Sequence, residues 1–581
     1  MSMTEPLTAT PAQSSLTQSL EEVIALARRN SLTRDNPALA DLPAWWREFR
    51  DHQRIAIREI LLAYEEGAEC VVLDAPTGSG KTVVGEAVRR LLPGTLAGQL
   101  GGRNATSYIC SSKALQEQFV RDYPYAKVLK GRSNYATELY PERFGGKDGL
   151  SAADCTKSTG DPESCLWCAS THLCPYERAK SDALRSGLAV LNTSYFLSEC
   201  NGPGRFSRGG LVIADEADTL ESELMGHVEV RISERRLKQY GLGVPRYVTK
   251  EESWREWAEE AYEKVRNTRL SLPSHDEVKA NRERKRHSLL VERLKGLAEE
   301  IQAGGWVYTG SRDFVAFKPV TVSAFGPSKL WRHGDKWLLM SATVISSDEL
   351  LESLGWDEEK EWRLVKVPST FAKENRKVVV APAANMSFKG KEEGYGKLID
   401  AIVTIIGRHP DDRMLIHSTN YECTRELRQR LEVLPAELRV NSTGHPRHII
   451  TYSESNQKEA RLADFLSNPA AIMIAPSMGR GVDLPGDACR VQIIAKVPFG
   501  NLRDKQISTR LYGTGREGKV WYAVNAIRTI VQMTGRAVRG PNDYAITYIL
   551  DSQFVTNLWA SNKRLFPEYW KEALEWRTKG L

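Results

Sequence analysis

Residues 70–82 read CVVLDAPTGSGKT, an apolar run followed by a glycine-rich loop that ends in Lys81 and Thr82. The run Cys70–Asp74 predicts a buried strand, and Val83–Leu92 after the loop predicts a helix. A strand, a glycine-rich loop and a helix in this order form a phosphate-binding loop, because backbone N–H groups can approach phosphate oxygens there. Lys81 is expected to pair with the β- and γ-phosphates of a nucleotide, and the Thr82 hydroxyl to ligate Mg²⁺. The expected phosphate-contacting residues are Thr77, Gly78, Ser79, Gly80, Lys81 and Thr82.

A second apolar run, Leu211–Ala214, ends in the adjacent carboxylates Asp215 and Glu216. Ligands of parallel sheets bind at the carboxyl ends of the strands, which is where this pair would lie. Adjacent side chains of an extended strand point to opposite faces, so the two carboxylates are expected to have different roles. Asp215 would hold Mg²⁺, and Glu216 would orient and deprotonate an attacking water. A surface turn is the alternative, and the phosphate-binding loop favours the hydrolytic interpretation.

The third motif is Gln532–Arg539, at the end of a helix predicted from Trp521 onward. Arg536 and Arg539 are three residues apart and would lie on one face of that helix. Arginines that reach a γ-phosphate stabilise the charge of the transferred phosphoryl group. Both are therefore expected to be catalytic, with ordinary surface arginines as the alternative.

Short apolar runs alternate with amphipathic segments along the chain, which is typical of parallel strands joined by crossover helices. The runs form two separate series, so the fold class is α/β with two parallel-sheet lobes. Within the first series, after Leu211–Ala214, residues 220–304 read mostly as long helices. The predicted strands are Cys70–Asp74, Ser107–Ser111, Leu188–Leu191, Leu211–Ala214 and Trp337–Met340, then Lys377–Ala381, Arg413–Ile416, Ala471–Ala475, Val491–Lys496 and Ala545–Leu550.

The composition excludes several classes of protein. A chain of 581 residues with 41% hydrophobic and 27% charged residues can bury a sizeable core, so it is not wholly disordered. The 80 Lys and Arg against 74 Asp and Glu give a net charge of +6, which is compatible with a polyanionic partner. No apolar run approaches the ~20 residues of a membrane helix, and residues 1–14 lack the pattern of a secretory signal. We expect a cytoplasmic protein without a membrane partner.

Four of the nine cysteines crowd into twenty residues with the spacing C-x9-C-x2-C-x5-C. In a cytoplasmic chain this density indicates a metal site rather than disulfides. Thiolates suit both a [4Fe–4S] cluster and tetrahedral zinc, and the spacing does not separate them. The candidate ligands are Cys155, Cys165, Cys168 and Cys174. The remaining cysteines, which we expect in or beside the core, are Cys70, Cys110, Cys200, Cys423 and Cys489.

Residues 496–539 contain nine Lys and Arg against two Asp and Glu, with aromatic residues interleaved. Cations and stacking aromatics in a groove bind a single strand without reading its bases. A solvated basic face with buried aromatics is the alternative. The aromatic candidates are Phe499, Tyr512, Trp521 and Tyr522.

Taken in order, these motifs resemble those of superfamily 2 helicases, and within them the XPD/DinG-like iron–sulfur DNA helicases. The resemblance spans about residues 49–550, nearly the whole chain. The further segments that carry it are Arg50–Gln53, Ser112–Gln116, Lys130–Tyr135, Cys174–Tyr176, Ala189–Tyr195, Ser341–Thr343, Ser477–Gly486 and Gln532–Arg539.

The resemblance implies an ATP- and Mg²⁺-dependent helicase or translocase that moves 5′→3′ on single-stranded DNA and unwinds forked DNA as a monomer. Gln53 would read the adenine, and Gly481, Asp483 and Gln532 would also contribute to nucleotide binding. A [4Fe–4S] cluster is favoured over zinc. The family's contacts to the strand add Arg132, Tyr135 and Tyr195 as candidates.

The same resemblance divides the chain into segments. Residues 1–42 would form an N-terminal extension, 129–182 the iron–sulfur domain and 220–325 a helical arch. Together the last two would form a pore for one strand. The first RecA-like lobe would comprise 43–128, 183–219 and 326–365, and the second would comprise 366–581.

Four positions depart from the family pattern. Arg480 stands where the family usually has Glu, Gln553 where Arg is common, and Asp218 where many relatives carry His. The usual first cluster ligand is missing at Ala136 and Thr137, so Cys155 would replace it. Two alternatives stay open: an ATP-gated clamp that holds a single strand without robust unwinding, and a motor that acts on RNA.

Overall fold

Two parallel β-sheets dominate the structure, a computed structural model that describes residues 49–92, 106–136, 150–154, 174–273, 277–311, 313–476, 484–540 and 542–577. Within these residues the chain forms two units. The first contains residues 49–73, 80–341 and 351–367. The second contains residues 74–79, 342–350 and 368–577. The two predicted α/β lobes are thereby confirmed.

The sheet of the first unit has seven strands in the order β10-β1-β9-β5-β2-β4-β3. Its central strands are buried along nearly their whole length, as expected for a sheet with helices on both faces. The strands are β1 (Cys70–Asp74), β2 (Thr106–Cys110), β3 (Lys127–Leu129), β4 (Ala189–Asn192), β5 (Gly209–Asp215), β9 (Gly334–Ser341) and β10 (Trp362–Lys366).

Nine α-helices of six or more residues are described in the first unit. Helix α2 starts directly after the glycine-rich loop, and its Gly80 cap has φ +78°, a conformation that favours glycine. The helices are α1 (Asp51–Glu65), α2 (Lys81–Leu91), α3 (Lys113–Asp122), α4 (Pro175–Arg185), α5 (Thr193–Asn201), α6 (Leu220–Val228), α7 (Glu234–Gln239), α8 (Glu251–Asn267) and α9 (Glu277–Glu300).

The region that follows β5 is mostly helical, as predicted, but it also contains a small antiparallel sheet of order β6-β8-β7. Its strands are β6 (Val230–Ser233), β7 (Trp306–Ser311) and β8 (Phe314–Pro319). Helix α8 packs on it through Trp254 and Trp257, whose rings lie 6.5 and 5.2 Å from that of Phe317. This sheet was missed because its strands are short and lie beside long, strongly charged helical segments.

The second unit has its own seven-stranded sheet, in the order β13-β14-β12-β15-β16-β11-β17, with parallel pairing throughout. The strands are β11 (Arg376–Ala384), β12 (Met414–His417), β13 (Ile449–Thr451), β14 (Ile472–Ala475), β15 (Val491–Ile494), β16 (Ala545–Asp551) and β17 (Leu574–Trp576). The main helices, after α10 (Ser347–Ser353), are α11 (Lys391–Arg408), α12 (Tyr421–Leu431), α13 (Lys458–Ser467), α14 (Lys505–Gly513) and α15 (Gly515–Thr534).

All ten predicted strands are confirmed to within a few residues at their ends. The four further strands of the two large sheets are β3, β10, β13 and β17, and these are the outer strands of both sheets. Outer strands are half-exposed here, so they lack the continuous apolar run that identifies a central strand.

The five cysteines expected in the core are all buried, which confirms that prediction. Burial raises the pKa of each thiol, to about 12 for Cys423 and Cys489, so these groups stay protonated and unreactive. Among the helices described, none combines the length and apolar character needed to cross a bilayer.

Candidate nucleotide-hydrolysis site

Three neighbouring strands of the first sheet, β1, β9 and β5, bring the predicted motifs to one place. The glycine-rich loop follows β1, Ser341 ends β9 and Asp215 ends β5. Strands β5 and β9 run parallel with Asp215 opposite Met340. The motifs lie far apart in the chain, and this strand order is what joins them.

Lys81 and Asp215 form the central pair, with the lysine Nζ 3.4 Å from Asp215 Oδ1. Burial alone would lower the pKa of Lys81, but the charges of Asp215 and Glu216 outweigh it and raise that pKa. The lysine is therefore held in its charged form. The hydroxyl of Tyr108 donates to Asp215 Oδ2 at 2.8 Å, and burial together with this carboxylate raises the pKa of Tyr108 well above its ordinary value.

Glu216 has separate surroundings from those of Asp215. The Ser111 hydroxyl donates to Glu216 Oε2 at 2.8 Å, whereas Asp215 faces Lys81 and Tyr108. The backbone of Glu216 has φ +54°, a left-handed conformation that costs a residue with a Cβ about 1 kcal/mol. Such strain is found where a structure fixes a functional side chain. The two carboxylates differ in environment, but Glu216 follows β5 in a left-handed conformation and does not alternate with Asp215 along the strand.

Asp218 connects the end of β5 to the end of β9. Its Oδ1 accepts a hydrogen bond of 2.8 Å from the Ser341 hydroxyl, and both residues are buried. No local pattern predicts this pair, because only the sheet order reveals that the two motifs are neighbours. The aspartate that stands where many relatives carry His thus has a direct hydrogen-bonding role.

Gln53 lies against the glycine-rich loop. Its Oε1 accepts a 3.0 Å hydrogen bond from the Arg50 N–H at the start of α1. A Cβ on Gly80 would meet the Gln53 Nε2, and the φ of +78° at Gly80 favours glycine at this position. The residue predicted to read adenine is therefore packed next to the predicted phosphate site.

Gly78, another loop residue, belongs to the second unit together with Phe371. Its φ is +82°, and a Cβ there would overlap the Phe371 ring. Glycine is required at position 78 for the backbone conformation and for the close approach of this ring.

Gln532 also makes a specific contact in the second unit. Its Nε2 donates to Thr343 Oγ1 at 3.0 Å. One turn earlier on α15, Arg528 lies 3.6 Å from Glu349 of α10, and both side chains are buried. The segment after Ser341 is therefore held by two residues of α15. No sequence pattern predicts either contact.

The prediction that Arg536 and Arg539 lie on one helical face is wrong, because α15 ends at Thr534. Gly535 caps the helix, and the Arg536 carbonyl accepts from the Leu484 N–H at 3.2 Å instead of continuing the helix. The Arg539 N–H donates to Asp543 Oδ2 at 3.1 Å. Both arginines therefore lie in a non-helical segment after α15.

Asp543 fixes this segment to another part of the second unit. Its carboxylate accepts from Arg539 N–H, from Gly486 N–H at 3.2 Å and from Arg490 Nη1 at 2.7 Å. Burial opposes its charge, yet these bonds hold the pKa of Asp543 below its ordinary value.

Arg536 affects two other groups of the second unit. Burial, and then the Arg536 charge, lowers the pKa of Lys458. His417 is buried and also faces Arg536, and burial first of all lowers its pKa to about 4.

Several predicted residues lie outside the described part of the chain: Cys155, Cys165, Cys168, Arg480, Gly481 and Asp483. Cys174 is described and is buried at the start of α4. In the described ranges, no group of three or more metal-ligating side chains comes together.

The described residues on either side of the cysteine-rich stretch, among them Tyr135, Ala152 and Tyr176, lie close together. The Ala152 N–H donates to the Tyr135 carbonyl at 2.9 Å, and the Tyr135 ring lies 5.6 Å from that of Tyr176. The Tyr176 and Tyr195 hydroxyls are 2.7 Å apart, and Arg132 lies over the Tyr176 ring. Three of the predicted strand-contacting residues are thus part of one polar cluster.

The basic stretch 496–539 is not a single exposed surface. Arg510 is buried, with its guanidinium 4.2 Å from the Trp521 ring, so these two form core structure. Phe499 and Tyr522 stack on each other at 5.6 Å, whereas Tyr512 is 71% exposed. Trp521 is therefore a buried core residue, as in the alternative interpretation of this stretch, and not an exposed stacking residue.

Fold and motif geometry together define a two-lobed nucleotide-binding protein of the helicase type. Residues 402–573 match the helicase C-terminal domain, and residues 47–149 match the type III restriction enzyme res subunit. The chain is 23% identical to the ATP-dependent DNA helicase YoaA of Escherichia coli (strain K12), over 87% of this chain and 92% of that protein.

Solved structures give the same fold. An XPD helicase is 16% identical in sequence and has a TM-score of 0.59. The match covers 91% of this chain and 100% of the XPD chain. Xpd4 of S. tokodaii, at 14% identity, has a TM-score of 0.52 with the same two coverages. The predicted resemblance to the XPD/DinG-like superfamily 2 helicases is confirmed by the helicase C-terminal match, the similarity to YoaA and the fold shared with the XPD helicases.

The left-handed backbone of Glu216 predicts an unusual order of stability among substitutions. Glu216→Gly should have a free energy of unfolding about 1 kcal/mol higher than Glu216→Ala, because only alanine pays for a Cβ at φ +54°. Urea denaturation of both variants measures this difference. Glu260 is an exposed helical residue and serves as the control. There the alanine variant should be more stable than the glycine variant by about 1 kcal/mol. The same order at both positions would contradict the assigned strain.

Proposed function

We propose that this protein is an ATP-dependent DNA helicase or translocase that couples ATP hydrolysis to 5′→3′ movement on single-stranded DNA and to duplex unwinding. The observation that carries the proposal is the Lys81–Asp215 pair at 3.4 Å, with Glu216 held separately by Ser111. The named activity of the relative, an ATP-dependent DNA helicase, supports ATP and DNA as the substrates. The polarity rests on the resemblance to the XPD/DinG-like helicases.

In this proposal the hydrolytic groups come from the glycine-rich loop, the start of α2 and the residue after β5. The loop residues Thr77–Gly80 would bind phosphate oxygens through their N–H groups, and Lys81 would add a positive charge. Glu216 would orient the attacking water and accept its proton at the carboxylate that Ser111 holds. Gln53, packed against Gly80, would contact the adenine.

Thr82 and Asp215 are the proposed ligands of Mg²⁺. Their oxygens fit this ion, since both side chains interact with the same Tyr108 hydroxyl and therefore lie side by side. Bound Mg²⁺ would neutralise phosphate charge. The Tyr108 hydroxyl would keep one Asp215 oxygen oriented.

The remaining proposed site residues belong to the second unit. Arg536 and Arg539 would stabilise charge on the transferred phosphoryl group, and the Asp543 carboxylate would fix the segment that carries them. Gln532, which donates to Thr343, would connect nucleotide binding to the segment after β9. Gly481 and Asp483 complete the proposed nucleotide-binding set.

We further propose that Cys155, Cys165, Cys168 and Cys174 hold a [4Fe–4S] cluster, within an iron–sulfur domain at 129–182. The close approach of Tyr135, Ala152 and Tyr176 supports a domain whose ends leave and re-enter the first unit at one place. The arch would span 220–325, which contains α8 and α9. Arg282 of α9 pairs with Asp154, next to Cys155.

Lys81→Ala should abolish strand displacement and slow DNA-stimulated ATP hydrolysis by at least about 100-fold, because a charged group that contacts the phosphates is lost. The assay uses duplexes with a single-stranded tail at either the 5′ or the 3′ end. Wild-type protein should displace the strand from the 5′-tailed duplex with ATP.

Lys360→Ala is the matched control, since it removes a surface lysine of the same unit that pairs with Glu69. It should retain both activities. Near-normal hydrolysis by Lys81→Ala would contradict the site. Hydrolysis stimulated by DNA without displacement of either duplex would instead favour the single-strand clamp.

The cluster predicts about four irons per chain and a brown colour in protein purified without oxygen. Cys155→Ser should lose the colour and most of the iron, since Cys155 is the proposed replacement for the usual first ligand. Cys200→Ala, which removes a buried core thiol, should keep them. Metal analysis that finds zinc, or a Cys155→Ser protein with full iron content, would refute the respective assignment.

A further inference from the structure

We propose that Phe388 is a stacking platform for one base of single-stranded DNA, flanked by two cations that bind the adjoining phosphates. This inference rests on the proposed function and names the residue that grips the strand in the second unit. Phe388 leaves 74% of its surface exposed. A phenylalanine so exposed gains nothing from burial in the folded chain, so its ring is available to a ligand.

The loop that carries Phe388 is held through both backbone groups of Met386, its N–H and its carbonyl. The Met386 N–H donates to Asp551 Oδ1 at 3.1 Å, and its carbonyl accepts from Lys496 Nζ at 2.9 Å. Asp551 is buried and also accepts from the Val497 N–H at 2.9 Å. The loop is thus tied to the ends of β15 and β16 by a buried carboxylate.

Asn385 provides a second anchor for the same loop. Its Oδ1 accepts from the Ser387 N–H at 3.0 Å and from Gln553 Nε2 at 2.9 Å. The Ser387 hydroxyl in turn accepts from the Gly390 N–H at 3.2 Å. Because the backbone on both sides of Phe388 is fixed, the ring is presented to solvent without a large loss of loop entropy on binding.

Two cations lie beside the exposed ring. Lys391 Nζ is 5.5 Å from the ring centroid, and the Arg503 guanidinium is 5.9 Å from it. Lys391 is also paired with Glu422, whose pKa this lysine lowers, and lies 4.0 Å from Glu392, so two acids partly offset the local charge. Arg503 belongs to the basic stretch 496–539, which has an excess of positive charge.

An aromatic face between two cations suits a nucleotide, which offers a flat base and an anionic phosphate. Stacking tolerates any base, as a helicase requires. An apolar protein partner would match the ring but not the Arg503 guanidinium beside it. The chemistry of the site therefore favours single-stranded nucleic acid.

The test measures binding of full-length protein to a fluorescent oligothymidylate of about 20 nucleotides and to an abasic sugar–phosphate strand of equal length, by anisotropy. Phe388→Ala and Phe388→Leu should weaken oligothymidylate binding roughly 5- to 100-fold, because both lack an aromatic face. Phe388→Trp should retain wild-type affinity. On the abasic strand all four proteins should bind alike.

Tyr544→Ala is the control variant. Tyr544 is also an exposed aromatic residue, at 55%, with the Arg490 guanidinium 4.1 Å from its ring, but it precedes β16 whereas the Phe388 loop follows β11. Its substitution should leave oligothymidylate affinity unchanged. Wild-type affinity in Phe388→Ala, or equal weakening on both strands, would overturn the stacking site while DNA binding stands. Failure of the wild type to bind oligothymidylate would overturn the proposed function itself.

Discussion

The ion pair between Lys81 and Asp215 is the interaction on which the first unit's site depends. It joins the helix after β1 to the end of β5, two elements more than a hundred residues apart in sequence. Asp215 is buried and Lys81 is 24% exposed, so removing the lysine would leave the carboxylate without its cation. Tyr108 binds the second Asp215 oxygen and thereby fixes the direction of the carboxylate. The lysine is kept protonated by two acids, which is the form that attracts phosphate.

Sequence patterns predicted the central strands and the glycine-rich loop between β1 and α2, because each is encoded locally. A buried strand is a continuous apolar run, and a phosphate-binding loop is a short spacing of glycines before a lysine. Tyr108, Ser111 and Ser341 could not be predicted, since their partners come from neighbouring strands and no local spacing encodes a strand order. The outer strands β3, β10, β13 and β17 were missed because their sequences contain no continuous apolar run. The helical placement of Arg536 and Arg539 failed at Gly535, where the periodic pattern continues but the helix ends.

Two buried or part-buried aspartates organise the loops of the second unit in similar ways. Asp543 accepts backbone N–H groups from the segment that carries Arg539 and from Gly486. Asp551 accepts N–H groups from Met386, Val497 and Gln553, and burial still raises the pKa of Asp551. The glutamine that stands where relatives often carry Arg is used locally, since its amide donates to Asn385. Asp543 lies just before β16 and Asp551 ends it, so carboxylates fix loops at both ends of this strand.

The most direct test of the account is to separate nucleotide binding from hydrolysis at Glu216. Glutamine in its place keeps the size of the side chain and an oxygen for the Ser111 hydroxyl, but it cannot accept a proton from water. Equilibrium binding of ATP with Mg²⁺ and single-turnover hydrolysis should be measured on the same protein. The account predicts that Glu216→Gln binds ATP within about threefold of the wild type and hydrolyses it at least about 100-fold more slowly. Hydrolysis at a near-wild-type rate would contradict it.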